Sequence, residues 1–347
     1  MKTKNGMWVV PGLVDIHVHF RDPGLTHKED IESGLKSAVR GGFTTVCTMP
    51  NTLPTIDTPE LIKYQIEKAK NLGIAKLLPV SAMTFGLNGE KIVDMEANLK
   101  AGAIAFSDDG KSVMAPKVLE EIFKRAAKLK CLLMVHCEDL GLGTGNDSEW
   151  TVVKRDVELA IKHKTRLHIC HVSTKESVAI IREAKKKHPN LITCEVSPHH
   201  IALTNKDVKS TNFKMAPPLR SSEDRLAVIE ALKDGTIDAI ATDHAPHSPE
   251  EKSVEFDKAP NGVIGLETAV GVVLEVLFHQ NKFTLEKIVE LMCYNPAKII
   301  GVKPVGEITI DPNAKWVVPK TFESKSVNSP FVGMELRGKV VEVNFEK

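Results

Sequence analysis

"GLVDIHVHFRDPG", residues 12–24, runs from an apolar stretch into two histidines, an arginine and an aspartate within six residues. Residues i and i+2 of a β-strand face the same side, so His17 and His19 converge on one point and Arg21 extends the series. Two neutral imidazoles aimed together suit zinc or another borderline divalent metal. An isolated His-x-His is more often a pair of satisfied core histidines. What decides between the two is whether other segments of the chain end in the same way.

Seven further short apolar, β-branched runs follow: "TTVCTM" (44–49), "AKLLPVSAM" (75–83), "AIAFS" (103–107), "CLLMVHC" (131–137), "RLHICHV" (166–172), "LITCEV" (191–196) and "IDAIATD" (237–243). Amphipathic stretches with helix punctuation lie between them. Thr26 with Glu29 predicts a capping box, and Gly41-Gly42 stops that helix. Thr58 precedes Pro59 at the start of a helix ending at Gly73, and Ser173 with Glu176 predicts a second capping box. Further helices are expected near 89–100, 116–130, 152–163, 222–233, 265–280 and 285–293. Eight strand–helix units predict a parallel (β/α)8 barrel, a TIM barrel, over residues 11–303. No glycine-rich phosphate loop follows the first strand to favour an open doubly wound sheet. The tail from 304, "GEITIDPNAKWVVP" and "MELRGKVVEVNF", alternates like antiparallel strands. With residues 1–10 it is expected to form a small, reduced β-subdomain.

Bulk properties narrow the function classes. Net charge is +1 with interspersed signs, which argues against nucleic acid or an anionic membrane as partner. No apolar run approaches membrane-spanning length, and the N-terminus lacks a signal-peptide core. Six scattered cysteines without a C-x-x-C pair read as reduced core residues of a cytoplasmic protein.

In such barrels the reactive groups sit at the C-terminal ends of the strands. His17 and His19 end the first strand, Asp108 and Asp109 follow the fourth, His136 ends the fifth, His171 the sixth and Asp243 the eighth. Five segments deliver metal-competent side chains to one rim, and this convergence favours the metal reading. "SDDG" alone would be an ordinary turn; on the rim, one aspartate can bridge two ions. Asp243 is a candidate ligand that also moves protons. His247 is spaced to turn back to the mouth, whereas His244 is expected under the loop. His199 and His200 are expected behind the ligands, and His27, His163, His188 and His279 in solvent. Arg21 suits a substrate carboxylate, with a salt bridge to Asp22 or Asp30 as the alternative. Asn51 in "TMPNT" is a hydrogen-bonding group on the same rim, or a turn residue.

"PGLVDIHVHFRDPG", "TMPNT", "AFSDDG", "HCED", "HICHVSTKES", "SPHH", "PPLR", "ATDHAPH" and "GVIGLETA" together resemble the successive motifs of the dihydroorotases, in the amidohydrolase superfamily. The tail phrase "NSPFVGMELRGKV" matches as well. The resemblance implies a zinc enzyme interconverting N-carbamoyl-L-aspartate and L-dihydroorotate in pyrimidine synthesis, with metal-activated hydroxide as nucleophile and Asp243 as general acid and base. It implies one metal held by His17, His19, Asp109 and Asp243, and a second by Asp109, His136 and His171. Asp109 would bridge, as in the Asp-Asp-Gly branch that lacks a carbamylated lysine. It further implies substrate contacts at Arg21, Asn51 and His247, and a homodimer.

Three departures stand out. Ala216 replaces the usual Asn before "PPLR", and Asn261-Gly262 replaces the usual Phe-Gly; both positions resemble substrate contacts. The small subdomain is shortened, and "LGLGTGNDSEWT" (140–151) stands in for a longer loop, so stability is expected to lean on a partner chain. The competing readings are a hydantoinase- or allantoinase-like cyclic amidase, against which Arg21 argues, and a non-catalytic scaffold for aspartate transcarbamoylase. A scaffold should have lost ligands, and this chain keeps a complete candidate set.

Overall fold

The computed structural model describes residues 2–4 and 6–345. Every strand expected of the barrel forms, all but β4 shorter than the apolar run that predicts it. In chain order the elements begin with β1 (Lys2–Lys4), β2 (Met7–Pro11) and β3 (Leu13–Val18). Helices and strands then alternate: α1 (Ile31–Arg40), β4 (Phe43–Thr48), α2 (Pro59–Leu72), β5 (Lys76–Ser81), α3 (Met95–Ala101) and β6 (Ala105–Phe106). The alternation continues through α4 (Pro116–Leu129), β7 (Leu132–Val135), α5 (Asn146–His163), β8 (Arg166–Ile169), α6 (Lys175–Lys187) and β9 (Ile192–Val196). After α7 (Pro198–Ala202) and α8 (Ser222–Asp234) comes β10 (Ala239–Ile240). A short helix, Pro249–Lys252, and helical turns from Ala269 to Ile300 lead to β11 (Glu307–Val317) and β12 (Glu335–Asn344).

Strands β3 to β10 form one eight-stranded parallel sheet in sequential order. A parallel bridge between Val18 and His244 brings its two ends together, with the His19 amide donating to the His244 carbonyl at 2.8 Å. The main apolar cluster packs helices on the barrel wall. A smaller one, including Cys47, Met49, Val80, Ala105, Met134, Cys170 and Ala241, draws on strand after strand and fills the barrel. All six cysteines are buried and free. Among the described residues no helix is long and apolar enough to cross a membrane. The second sheet, β1-β2-β11-β12, is antiparallel and unites the two ends of the chain as the alternation predicted.

Two helix starts differ from the sequence expectation. The N-cap of α1 is Asp30, whose carboxylate accepts from the Ser33 amide while Ser33 Oγ accepts from the Asp30 amide. Glu29 is fully buried, accepting from Ser33 Oγ and Ser324 Oγ and lying 3.2 Å from His244 Nε2. The overlapping Asp30-x-x-Ser33 pair captures the cap because Glu29 is drawn into the barrel rim. Likewise Thr174, not Ser173, caps α6; Ser173 instead donates to buried Glu149. The start of α2 at Pro59 and its stop at left-handed Gly73 fall where expected.

Candidate metal centre

Where each strand ends sets the site. His17 lies inside β3 and His19 just beyond it, with ring centroids 5.3 Å apart. Asp109 follows β6, His136 follows β7, His171 follows β8 and Asp243 follows β10. All six are buried.

The separations among these groups are longer than charge-assisted hydrogen bonds, which run about 2.7–2.9 Å. Asp109 Oδ1 stands 3.3 Å from His17 Nε2 and 3.7 Å from His171 Nε2, while Oδ2 is 3.4 Å from His19 Nε2. Asp243 Oδ1 lies 3.0 Å from His19 Nε2 and 3.5 Å from His17 Nε2. His136 Nδ1 and His171 Nε2 face one another at 3.0 Å. Ligands at 2.0–2.2 Å from a tetrahedral ion lie roughly 3.3–3.6 Å from each other. His17 Nε2 and Asp109 Oδ1 are buried without hydrogen-bond partners, which is costly unless something lies between them. The residues therefore fit a divalent metal, with His17, Asp109 and His171 as one donor group and His17, His19 and Asp243 as another.

The outward nitrogens are anchored. His17 Nδ1 donates to Glu195 Oε1 at 2.8 Å, and Glu195 Oε2 lies 3.2 Å from His168 Nε2. Burial alone would raise the Glu195 pKa, yet the two imidazoles pull it down to about 2. His19 Nδ1 donates to Asn51 Oδ1 at 2.7 Å, leaving its Nε2 for the site. Burial likewise opposes ionisation of Asp109, but His17, His171 and His19 hold it well below the usual carboxylate range. Asp243 is depressed in the same way by His19, His17 and His171. Arg21, His171 and Asp243 all adopt positive φ, at 34°, 34° and 50°. Such backbone is strained for non-glycine residues and clusters at functional sites.

Asp108 turns away from the histidines: Oδ1 accepts from the Met83 and Thr84 amides at 2.7 and 3.0 Å. His244 lies under the loop, accepting at Nδ1 from the Gly265 amide at 3.2 Å and facing Glu29 with Nε2. His199 and His200 are buried behind the site, where burial holds His199 well below and His200 at about 4, so both are neutral. His27 is exposed, whereas His163 and His188 are half-buried, and His279 is held by the Pro312 carbonyl at 2.8 Å.

Beside the cluster opens a cavity of about 290 Å³ lined by Arg21, Asn51, Ala216, His247, Asn261 and Gly262 together with the cluster. Arg21 pairs with neither Asp22 nor Asp30. Asp22 binds Tyr64 and Lys68, and Asp30 binds Lys325. Burial brings Arg21 down to about 10 against the pull of Asp243 and Asp109, so it stays cationic at neutral pH. Its Nε donates to the Pro246 carbonyl at 3.2 Å. His247 Nε2 donates to the Asn261 carbonyl at 2.8 Å, and burial with Arg21 nearby holds its pKa down to about 3, so it is neutral. Gly262 has φ 135°, and a Cβ there would stand 2.8 Å from the Ala245 carbonyl and 3.0 Å from His247 Nε2. Asn51 is more than a wall residue, because its carboxamide already serves His19 and, at 3.4 Å, Asp109.

Sequence reasoning overlooked Glu195 and His168. A lone acidic residue in the apolar strand "LITCEV" was the available signal. It also overlooked Glu138, whose carboxylate lies 3.3 Å from His136 Nε2.

Comparison with known proteins identifies the family. The amidohydrolase family model matches residues 8–345. A dihydroorotase of Desulforapulum autotrophicum is 43% identical over 97% of this chain and 85% of its own length. A dihydroorotase of Clostridioides difficile is 45% identical over 97% and 86%. Among solved structures, an L-hydantoinase (dihydropyrimidinase) from Arthrobacter aurescens superposes with TM-score 0.87 at 26% identity, covering 98% of this chain and 84% of that one. A D-hydantoinase from Thermus sp., at 21% identity and TM-score 0.83 over 98% and 84% of the two chains, shares the fold. The family match over residues 8–345 and relatives 43–45% identical over nearly the whole chain place it in the amidohydrolase family, among its dihydroorotases.

Proposed function

We propose that this protein interconverts N-carbamoyl-L-aspartate and L-dihydroorotate, in de novo pyrimidine synthesis, with zinc bound by His17, His19, Asp109, His136, His171 and Asp243. The observation that carries the reading is Arg21: a buried guanidinium lining the cavity beside the cluster, with most of its donors uncommitted. It matches the substrate carboxylate, which hydantoin and allantoin lack.

An imidazole and carboxylate donor set suits zinc, and bound ions there supply Lewis-acid polarisation of the ring carbonyl and acidification of water. The chain supplies the rest. Arg21 and the remaining Asn51 N–H orient the substrate carboxylate, fixing the ring amide against the cluster. In hydrolysis Asp243, ionised across the neutral range, takes a proton at Oδ from the attacking water and returns it to the ring nitrogen as the C–N bond breaks. In the biosynthetic direction it takes the proton from the carbamoyl nitrogen. His247, 3.4 Å from Arg21 Nη2, continues the cavity wall with Asn261, Gly262 and Ala216. The Asn261 departure places an exposed side chain at the rim while its carbonyl holds His247, so the wall is kept.

We assign residues 11–303 to the catalytic barrel and 1–10 with 304–347 to the small β-subdomain, in a cytoplasmic homodimer. Sedimentation with and without aspartate transcarbamoylase tests that assembly. The decisive assay measures metal per chain together with turnover of L-dihydroorotate, hydantoin and allantoin. Zinc near two per chain with dihydroorotate preferred supports the reading. Turnover of the neutral rings alone moves the function to a cyclic amidase, and neither metal nor turnover moves it to a scaffold.

A further inference from the structure

The tail motif "NSPFVG" has no part in the chemistry above, yet it comes back to the cavity. Residues 318–334 join β11 to β12 and cross the barrel rim on the way. Ser326 Oγ donates to the Lys28 carbonyl at 2.8 Å, and the Ile264 amide donates to the Asn328 carbonyl at 3.1 Å. The Asn328 side chain is buried, and its carboxamide is fully engaged. Its Nδ2 donates to the Ala245 carbonyl at 3.1 Å and to the Gly262 carbonyl at 3.0 Å. Its Oδ1 accepts from the His247 amide at 3.2 Å.

Ala245, His247 and Gly262 line the cavity, and Asn328 does not. They belong to two separate loops, one after β10 and one before the helical turn at Ala269. His244, bridged to Val263 and accepting from the Gly265 amide, joins the loops at their base, and His247 Nε2 reaches the Asn261 carbonyl; at the cavity wall the Asn328 carboxamide ties Ala245 and His247 to Gly262. The first loop also carries the Pro246 carbonyl that receives Arg21 Nε.

We propose that Asn328 is a positioning residue of the substrate wall, setting the spacing between His247 and Gly262 and the aim of Arg21 without touching substrate. This rests on the dihydroorotase reading for the identity of the substrate, while the positioning itself rests on the hydrogen bonds alone. The site separates the two duties: metal loading depends on strand-end side chains, and Asn328 contacts none of them. Removing its donors leaves two buried carbonyls unpaired, and the loops respond by moving apart.

The test uses the full, metal-loaded chain with Asn328→Asp, which keeps shape and the acceptor for His247 but loses both donors, and Asn328→Ala. Ser326→Ala is the control, since it loosens the same crossing segment without touching the cavity. The expected result is a KM for L-dihydroorotate raised about tenfold or more in both Asn328 variants, with kcat within about threefold and metal per chain unchanged. Ser326→Ala should lower Tm and leave KM alone. Equal KM in all three proteins, or a fall in kcat with lost metal, overturns the proposal. If the Asn328 variants do not fold, amide exchange in the unaltered protein decides. Exchange of the His247 amide in step with Ile264 supports the tie, and independent exchange of the two removes it. If the unaltered, metal-loaded protein does not turn over dihydroorotate, the substrate reading fails separately. The same exchange comparison still judges Asn328.

Discussion

The two halves of the site are built by different means. The metal-facing half consists of side chains at the ends of β3, β6, β7, β8 and β10, where strand pairing fixes the backbone and buried Glu195 and half-buried Asn51 fix the rings. The substrate-facing half, with His247, Asn261 and Gly262, sits on loops whose positions depend on hydrogen bonds from residues far away in sequence. Strand geometry gives precision at short range. Loops tied by a few buried amides hold their wall less rigidly, and the two departures in sequence, Ala216 and Asn261, both fall on it.

The comparison breaks first, and hardest, at His17. His17→Ala removes a donor facing both carboxylates and should lower kcat/KM about 10⁴-fold or more with loss of bound metal, read by metal analysis beside the assay. A variant retaining full metal and activity would show that the cluster is not the reactive half. On the opposite wall, Arg21→Gln should raise KM for dihydroorotate about 10²-fold with the metal retained. An unchanged KM would transfer carboxylate recognition elsewhere. Glu195→Gln probes the support of the metal half: metal affinity should fall about 10- to 100-fold, while KM of the fully loaded enzyme stays put. A KM effect at full loading would mean that the halves are coupled beneath the rim.

The smallest effect concerns the frame that carries the segment between β11 and β12. Arg337 Nε and Nη2 grip Glu275 Oε2 and Oε1 at 2.8 and 2.7 Å, and this pairing holds the Glu275 pKa down to about 2. A depressed carboxylate adds stability above its unfolded pKa, near 4.5, and loses that contribution as pH falls toward 2. Glu275→Gln should therefore melt lower than the parent at pH 6, by on the order of 1 °C, with the gap closing by about pH 2–3. A gap independent of pH would assign the pair no electrostatic part.

Much of the metal half was legible because its information is local. His17 and His19 share a face by the period of two, and five apolar runs end in His or Asp. The same logic could not find Glu195, since nothing in "LITCEV" says which imidazole lies across the barrel. Nor could it choose between Thr26-x-x-Glu29 and Asp30-x-x-Ser33, because the choice turns on Ser324 and His244 claiming Glu29, nearly 300 and over 200 residues away. Asn328 is the extreme case: the motif was visible, but its partners are defined only once β11 and β12 have closed the small sheet.

The bridge between Val18 and His244 places the seam of the barrel at its reactive end. The other barrel strands are paired with their neighbours in the sheet order, whereas β3 and β10 stand at its two ends. His17 and His19 lie on one lip of that seam and Asp243 on the other, so a bound ion acts as a rivet across it. In mechanical terms the load path of the closed barrel runs through the candidate metal ligands. Chelation should be felt there first, as a parting of the lips that leaves the fuller ladders of β3 with β4 and β7 with β8 intact.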